Sequence, residues 1–187
     1  MNKKVFKVID EYVPFDDEEK AEKEIILDFI KSNEDVLTRD NRHGHFTVSL
    51  WVTNKKRNKV LMIHHNIYNA WAWVGGHADG DSDFLHVALK ELEEETGIKD
   101  VKVLNNSICG VNIITVDHHY KRGKYVPSHL HYDVEYMVEC DDKLDLRIKE
   151  DENSGVEWIS YKDLLNSEIE PKMKPVYEKL MKKSKLI

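Results

Sequence analysis

The sequence is poor in the residues that mark several whole classes of protein. Only two cysteines, Cys109 and Cys140, occur in 187 residues. They stand far apart and in no C-x-x-C arrangement, which argues against a disulfide-built fold or a cysteine zinc motif. Each sits among β-type residues, as a small buried hydrophobe does, and a reducing cytoplasm suits both. Four prolines and eight glycines leave no repetitive or linker-like stretch. No apolar run approaches the roughly eighteen residues of a membrane helix. The start, MNKKVFKVIDEY, holds no apolar core of signal-peptide length. These absences predict a cytoplasmic chain with no membrane partner.

Positive charge is also in deficit, with 28 basic against 35 acidic residues and a formal net charge of −7. Such a surface repels a phosphate backbone, so a nucleic acid polymer is not the expected partner. Phosphorylated small molecules stay open, because a divalent metal reverses the sign locally. Apolar residues reach 41% beside 34% charged, enough for the core of one ordinary domain and too many for wholesale disorder.

Residues 1–44 read as an N-terminal strand and helix extension packed on a main domain of residues 45–187, which includes a C-terminal helix. VFKVI supplies the strand. After Pro14, DDEEKAEKEIILDFIKSN supplies the helix, capped by Asp16 or Asp17, with Ala21, Ile25, Phe29 and Ile30 on one face. From His45 the period becomes two: Phe46, Val48, Leu50 and Val52 alternate with His45, Thr47, Ser49 and Trp51, the pattern of a half-buried strand. The turn NKKRN leads to a second strand, KVLMIH. A short strand ends at Gly75-Gly76, and a helix is expected over 83–96, stopped by Gly97 at the C′ position. Further strands are expected at 101–104, 107–116, 129–140 and 155–159. A short helix at 163–165 and a last amphipathic helix past Pro171 and Pro175 follow. Strands interleaved with few helices predict an α+β or layered α/β/α domain.

The informative stretch is GGHADGDSDFLHVALKELEEETGI, residues 75–98. Its helix sets Glu91, Glu94 and Glu95 at i, i+3 and i+4, three carboxylates that repel one another on one face. Hard oxygen ligands clustered this way suit Mg²⁺, with Mn²⁺ also acceptable. By spacing alone, a solvated acidic face remains the alternative. Leu85, Ala88, Leu89 and Leu92 form the opposite, sheet-facing stripe. Gly75 and Gly76 let backbone approach a ligand closely, and Asp81 or Ser82 can cap the helix.

This stretch resembles the Nudix box, G-x5-E-x7-R-E-U-x-E-E-x-G-U, with U aliphatic. Gly76 takes the first glycine, and Glu91, Leu92, Glu94, Glu95, Gly97 and Ile98 take the later fixed positions without a gap. The likeness extends over about residues 44–165. Two positions depart: the first glutamate falls on Ser82 and the arginine on Lys90. Lys90 then supports Glu91 or Glu94 as a point charge rather than a fork.

The resemblance implies a Nudix-like α/β/α sandwich with a mixed β-sheet. It also implies hydrolysis of a diphosphate linkage in a nucleoside diphosphate derivative, a small-molecule partner. Glu91, Glu94, Glu95 and the Gly76 carbonyl would hold the metal, and the catalytic set would be Glu94, Glu95, Glu91 and Lys90. The proton acceptor stays open among Glu94, Glu95 and the loop acids Glu150, Asp151 and Glu152. Two other readings stay open: a silent Nudix domain that binds a nucleotide, and an enzyme like the isopentenyl diphosphate isomerases.

Candidates for holding substrate are Gly75, Gly76, His77, Trp73 and Tyr120, with Tyr68, Trp71 and Tyr125 as further aromatics able to stack on a base. The basic loop Lys121-Arg122-Lys124 could meet a terminal phosphate or simply be solvated. His129, His131, Asp133 and Glu135 share one strand face and could line a cleft, a reading preferred to a separate zinc site made of His129 and His131. A homodimer through the N-terminal helix and residues 5–9 is left open. The particular nucleotide is not legible in the sequence.

Overall fold

The structure is a computed structural model that describes residues 2–105, 107–121 and 123–187. In chain order its elements are α1 (Lys3–Asp10), α2 (Asp17–Ser32), β1 (Gly44–Asn54), β2 (Lys59–His65), β3 (Ala70–Ala72), β4 (Val74–His77), α3 (Phe84–Thr96) and β5 (Lys102–Val103). Then come β6 (Gly110–Val116), β7 (His119–Lys121), β8 (Lys124–Val126), β9 (His129–Cys140), β10 (Asn153–Ser160) and α4 (Lys174–Lys183). The main sheet runs β10-β2-β1-β9-β5, with β3 on β2, β4 on β1 and β6 on β9, while β7 and β8 form a separate hairpin. This is the α+β fold with a mixed sheet flanked by helices that the sequence predicts. No helix among the described residues is long and apolar enough to cross a membrane.

The chain divides into two compact units, the first made of residues 1–48, 76–87 and 107–135, the second of 49–75, 88–106 and 136–187. In the first, residues 3–10 form a helix instead of the expected strand. Val5 and Ile9, one turn apart, are fully buried, and Asn2 caps the helix by accepting from the Val5 N–H. VFKVI carries apolar residues at positions that fit either period, and the cap with α2 as packing partner selects the helix.

α2 is capped by Asp16, which accepts from the Glu19 N–H at 2.9 Å. Its buried stripe is Glu19, Ile26, Phe29 and Ile30, whereas Ala21 and Ile25 face outward. The stripe turns because Glu19 is drawn inside, where it accepts from the Tyr12 hydroxyl and from the Phe15 N–H at 2.9 Å. Phe29 stacks on Tyr132 with centroids 4.0 Å apart, and Phe46 lies 5.3 Å from Phe84, closing the core of this unit.

In the second unit Trp51 is fully buried, and its indole N–H donates to the Tyr161 hydroxyl at 3.0 Å. The Tyr177 ring of α4 lies 5.8 Å away. β1 is buried along its whole length, so the alternation at 45–52 does not mark one wet face. Its polar set, His45, Thr47 and Ser49, is enclosed too, so both faces of this strand are covered. Gly97 closes α3 at φ +80°, as expected for C′.

Gly44 opens β1 where a Cβ would stand 2.8 Å from the Leu130 carbonyl oxygen and 2.8 Å from the Tyr132 ring. Gly44→Ala should therefore lower stability by about 1–3 kcal/mol, the usual cost of forcing a methyl into packed space. Urea denaturation followed by tryptophan fluorescence measures it, and an unchanged midpoint would contradict the packing described.

Candidate active site

α3 starts on Asp83, whose carboxylate accepts from the His86 N–H at 3.2 Å. Asp81 supports the cap by accepting from the Asp83 N–H at 2.8 Å. The cap is therefore Asp83, one or two residues later than Ser82 or Asp81, because Asp81 is spent on the turn itself and on the His86 ring (2.9 Å). The buried stripe of α3 is Phe84, Val87, Ala88 and Leu92, and it continues into Glu95 and Thr96. Leu85 and Leu89 are only half-buried.

The three box glutamates do not share one environment. Glu94 is exposed and gripped from both sides, with Lys90 Nζ 2.9 Å from Oε1 and Lys149 Nζ 3.2 Å from Oε2. The Lys90 bond, then the Lys149 bond, hold its carboxyl below the ordinary glutamate range. Glu91 is half-buried. Burial pushes its pKa up, opposed by Lys90 and reinforced by the charges of Glu94 and Glu152. Glu95 is 3% exposed and accepts the Gly75 N–H at 3.2 Å. Burial drives its pKa well up against that bond, with Glu91 and Glu152 adding to the rise.

Lys149 and Asn153 are functional neighbours that sequence reasoning missed. Lys149 bridges Glu94 and Glu152, the latter at 2.9 Å. Asn153, fully buried, donates to the Glu95 carbonyl at 3.1 Å. More than fifty residues separate them from the box, and no motif points to them. Of the loop acids Glu150, Asp151 and Glu152, it is Glu152 whose charge acts on both Glu91 and Glu95.

Four carboxylates thus face two ammonium groups here. Lys90 and Lys149 spend their charge on Glu94 and Glu152, while Glu91 and Glu95 are left with raised pKa values. An excess of oxygen donors over local positive charge fits a hard divalent cation.

Trp73 donates its backbone N–H to the Tyr177 hydroxyl at 3.3 Å, and its ring meets the Tyr177 ring edge-on at 5.4 Å. Gly75 is engaged by Glu95, and Gly76 follows it in β4, where its carbonyl as a metal ligand rests on the box resemblance. Tyr120 is 73% exposed on the β7–β8 hairpin, with its ring edge-on to Tyr125. His77 joins His45 and His131 instead of standing alone after the glycines. Asp133 and Glu135 are buried and bonded to Thr47 (2.5 Å) and Asn112 respectively, so that end of the β9 face is interior rather than cleft. Arg122 of the basic loop lies outside the described residues.

A family model of the NUDIX domain matches residues 43–180. The RNA pyrophosphohydrolase of Pelagibacter ubique (strain HTCC1062) is 28% identical over 148 residues, which cover 75% of this chain and 90% of that protein. Among solved structures, a hydrolase of the NUDIX family from Clostridium perfringens superposes with a TM-score of 0.54 at 20% identity, covering 78% of this chain and 98% of that one. The NUDIX domain of Shewanella oneidensis NrtR, complexed with ADP ribose, superposes with a TM-score of 0.53 at 17% identity, covering 76% and 88%.

Glu95 makes a prediction about stability. A carboxyl whose pKa is raised by folding stabilises the fold while protonated, and that contribution is lost as pH rises from the ordinary glutamate value through the raised one. In metal-free protein, Glu95→Gln should therefore raise stability at neutral pH by about 1–3 kcal/mol, the cost of a poorly compensated buried polar group. The gain should vanish below the ordinary glutamate range. Urea titrations with a chelator at both pH values decide it, and a variant less stable at neutral pH would contradict the assignment.

Proposed function

The chain belongs to the Nudix family and is a pyrophosphohydrolase, acting on phosphoanhydrides, and from that premise we propose that it is a Mg²⁺-dependent hydrolase of a diphosphate linkage in a small nucleoside diphosphate derivative. The observation that carries this reading is the charge imbalance around the end of α3, where Lys90 and Lys149 pair directly with Glu94 while Glu91 and Glu95 keep raised pKa values.

Glu91, Glu94 and Glu95 are the residues that would hold the metal. A divalent cation bound there supplies charge neutralisation at the phosphoryl oxygens and a water acidified towards neutral pH. Lys90 and Lys149 fix the Glu94 carboxylate from two sides, so its direction is set before substrate arrives. Water attacks one phosphorus, and the bond from that phosphorus to the bridging oxygen breaks. The departing phosphate takes the electron pair, and the proton of the water passes to a carboxylate. Glu152 is the loop carboxylate we assign to that task, being electrostatically coupled to Glu91 and Glu95 and held by Lys149.

The departures at Ser82 and Lys90 fit this scheme. A lysine at 90 reaches Glu94 as a point charge, and Asp83 with Asp81 takes over the start of the helix.

The test is a Mg²⁺-dependent hydrolysis screen over nucleoside triphosphates, ADP-ribose, nucleotide sugars, dinucleoside polyphosphates and 5′-triphosphorylated RNA. The RNA is included because the Pelagibacter relative is named for it. Turnover of a small nucleotide, with kcat falling on the order of 10²–10⁴-fold in Glu94→Gln, is the expected result. Turnover confined to the RNA would overturn the small-molecule reading. Nucleotide binding with no turnover on any compound would replace the enzyme with a silent binding domain.

A further inference from the structure

Within the first unit, three strands bring together histidines that lie far apart in the sequence: His45 on β1, His77 at the end of β4 and His131 on β9. Their ring centroids form a nearly regular triangle, 5.1 Å from His45 to His77, 5.1 Å from His45 to His131 and 4.8 Å from His77 to His131. One ring nitrogen from each lies within 4.8 Å of the other two.

His45 is 4% exposed, and its Nδ1 meets the Asn41 carbonyl at 3.3 Å. A carbonyl there accepts the Nδ1 proton and leaves the Nε2 lone pair bare. That Nε2 is buried and has no hydrogen-bond partner. A buried imidazole lone pair without a donor is an unmet acceptor, whereas Nδ1–H on a backbone carbonyl is the outer bond that orients a ligating histidine.

A fourth imidazole stands beside the triangle. His129 places its Nδ1 on the Pro127 carbonyl at 2.9 Å and its Nε2 3.2 Å from His131 Nε2. Two nitrogens on one tetrahedral zinc stand about 3.3 Å apart, given bonds of about 2.0–2.1 Å. Rings packed this closely cannot all be charged. Burial, and then the neighbouring histidines, hold His131 far below its ordinary value, and burial leads the lowering of His45. Neutral imidazole is the form that binds metal. Arg39, whose charge reaches both, is neutralised by Asp79 through contacts of 2.8 and 2.6 Å.

We propose that His45, His77 and His131 form a binding site for a borderline transition-metal cation of the Zn²⁺ class, with His129 nearest to a fourth position. The centre of a triangle with 4.8 Å sides lies about 2.8 Å from each corner, so each nitrogen moves inward by less than about 1 Å to reach a zinc–imidazole bond. An all-nitrogen donor set selects Zn²⁺, Cu²⁺, Ni²⁺ or Co²⁺ against Mg²⁺ and Ca²⁺, which take oxygen. The site is therefore chemically separate from the glutamates of α3 and does not depend on the hydrolase reading.

The experiment uses the full chain, stripped with a chelator and titrated with ZnCl₂ in excess Mg²⁺. Bound metal is counted by elemental analysis, and Co²⁺ replaces Zn²⁺ for visible absorption. One tight equivalent is expected, with the strong visible bands of four-coordinate cobalt. It should persist in Glu94→Gln and weaken by more than about 100-fold in His131→Ala and in His77→Gln, since losing even an outer partner of a ligand costs about 10–100-fold. Circular dichroism checks the fold of each variant. If His131→Ala unfolds, the half-buried His77 carries the comparison. No equivalent bound by the wild-type chain would overturn the proposal, as would an equivalent lost in Glu94→Gln but kept in the histidine variants.

Discussion

The second unit is arranged around one unfavourable interaction, the crowding of carboxylates at the end of α3 where the helix already presents its negative pole. Glu91, Glu94 and Glu95 repel one another there, and Glu95 is buried besides. The segment from Arg147 to Asn153 answers group by group. The Arg147 N–H donates to the Thr96 carbonyl at 2.9 Å, Lys149 reaches Glu94, and the Asn153 amide reaches the Glu95 carbonyl. One short loop thus satisfies backbone carbonyls that the helix leaves open and part of the charge that it concentrates. Gly97 turns the chain away at φ +80°, beside the Arg147 side chain.

That compensation is incomplete in a directional way. The two lysines converge on Glu94, the exposed member, while the more enclosed Glu91 and Glu95 keep raised pKa values. A fold selected for stability alone would place an amide or an apolar side chain at 95, since burying a carboxylate is costly unless it is paired. Retaining it makes sense when a dication completes the site, because metal binding then returns free energy that offsets the repulsion among the carboxylates. The same logic accounts for Lys90: beside a metal site, a compact ammonium on Glu94 supports one carboxylate and leaves the others available.

Local signals in the sequence were legible because they depend on neighbours in the chain. The period-2 and period-3.6 patterns located the longer strands and α3 but not the three-residue strands β3, β7 and β8, Gly97 marked the end of α3, and the i, i+3, i+4 glutamates were visible as a set. The N-terminal VFKVI fits both periods, and only the Asn2 cap and the packing on α2 make it a helix. The buried stripe of α2 was misplaced because Glu19, a charged residue by type, is taken inside by Tyr12. Lys149 and Asn153 could not be read as partners of the box, since each belongs to it through a contact spanning more than fifty residues, whereas Glu152 was visible only as one of three adjacent loop acids. The histidines are the sharper case. His129 and His131 share a strand face in plain view, but a pair at i, i+2 is weak evidence for a metal. His45 and His77 come from other strands, and only sheet register adds them.

Both clusters follow one rule in different chemistries. Each gathers like groups that resist being together, oxygen donors in one and imidazoles in the other, within a fold that meets part of the cost and leaves the remainder unmet. The unmet part has a definite character. At α3 it is negative charge on hard oxygen, which suits a hard divalent cation; among the histidines it is the buried Nε2 lone pair of His45, which suits a borderline one. Hard and borderline cations therefore need not compete inside the same chain. The net charge of −7 draws cations of either kind towards the surface without distinguishing them. Discrimination falls to the donor atoms, and the donor atoms are set by which strands and helices the fold brings together.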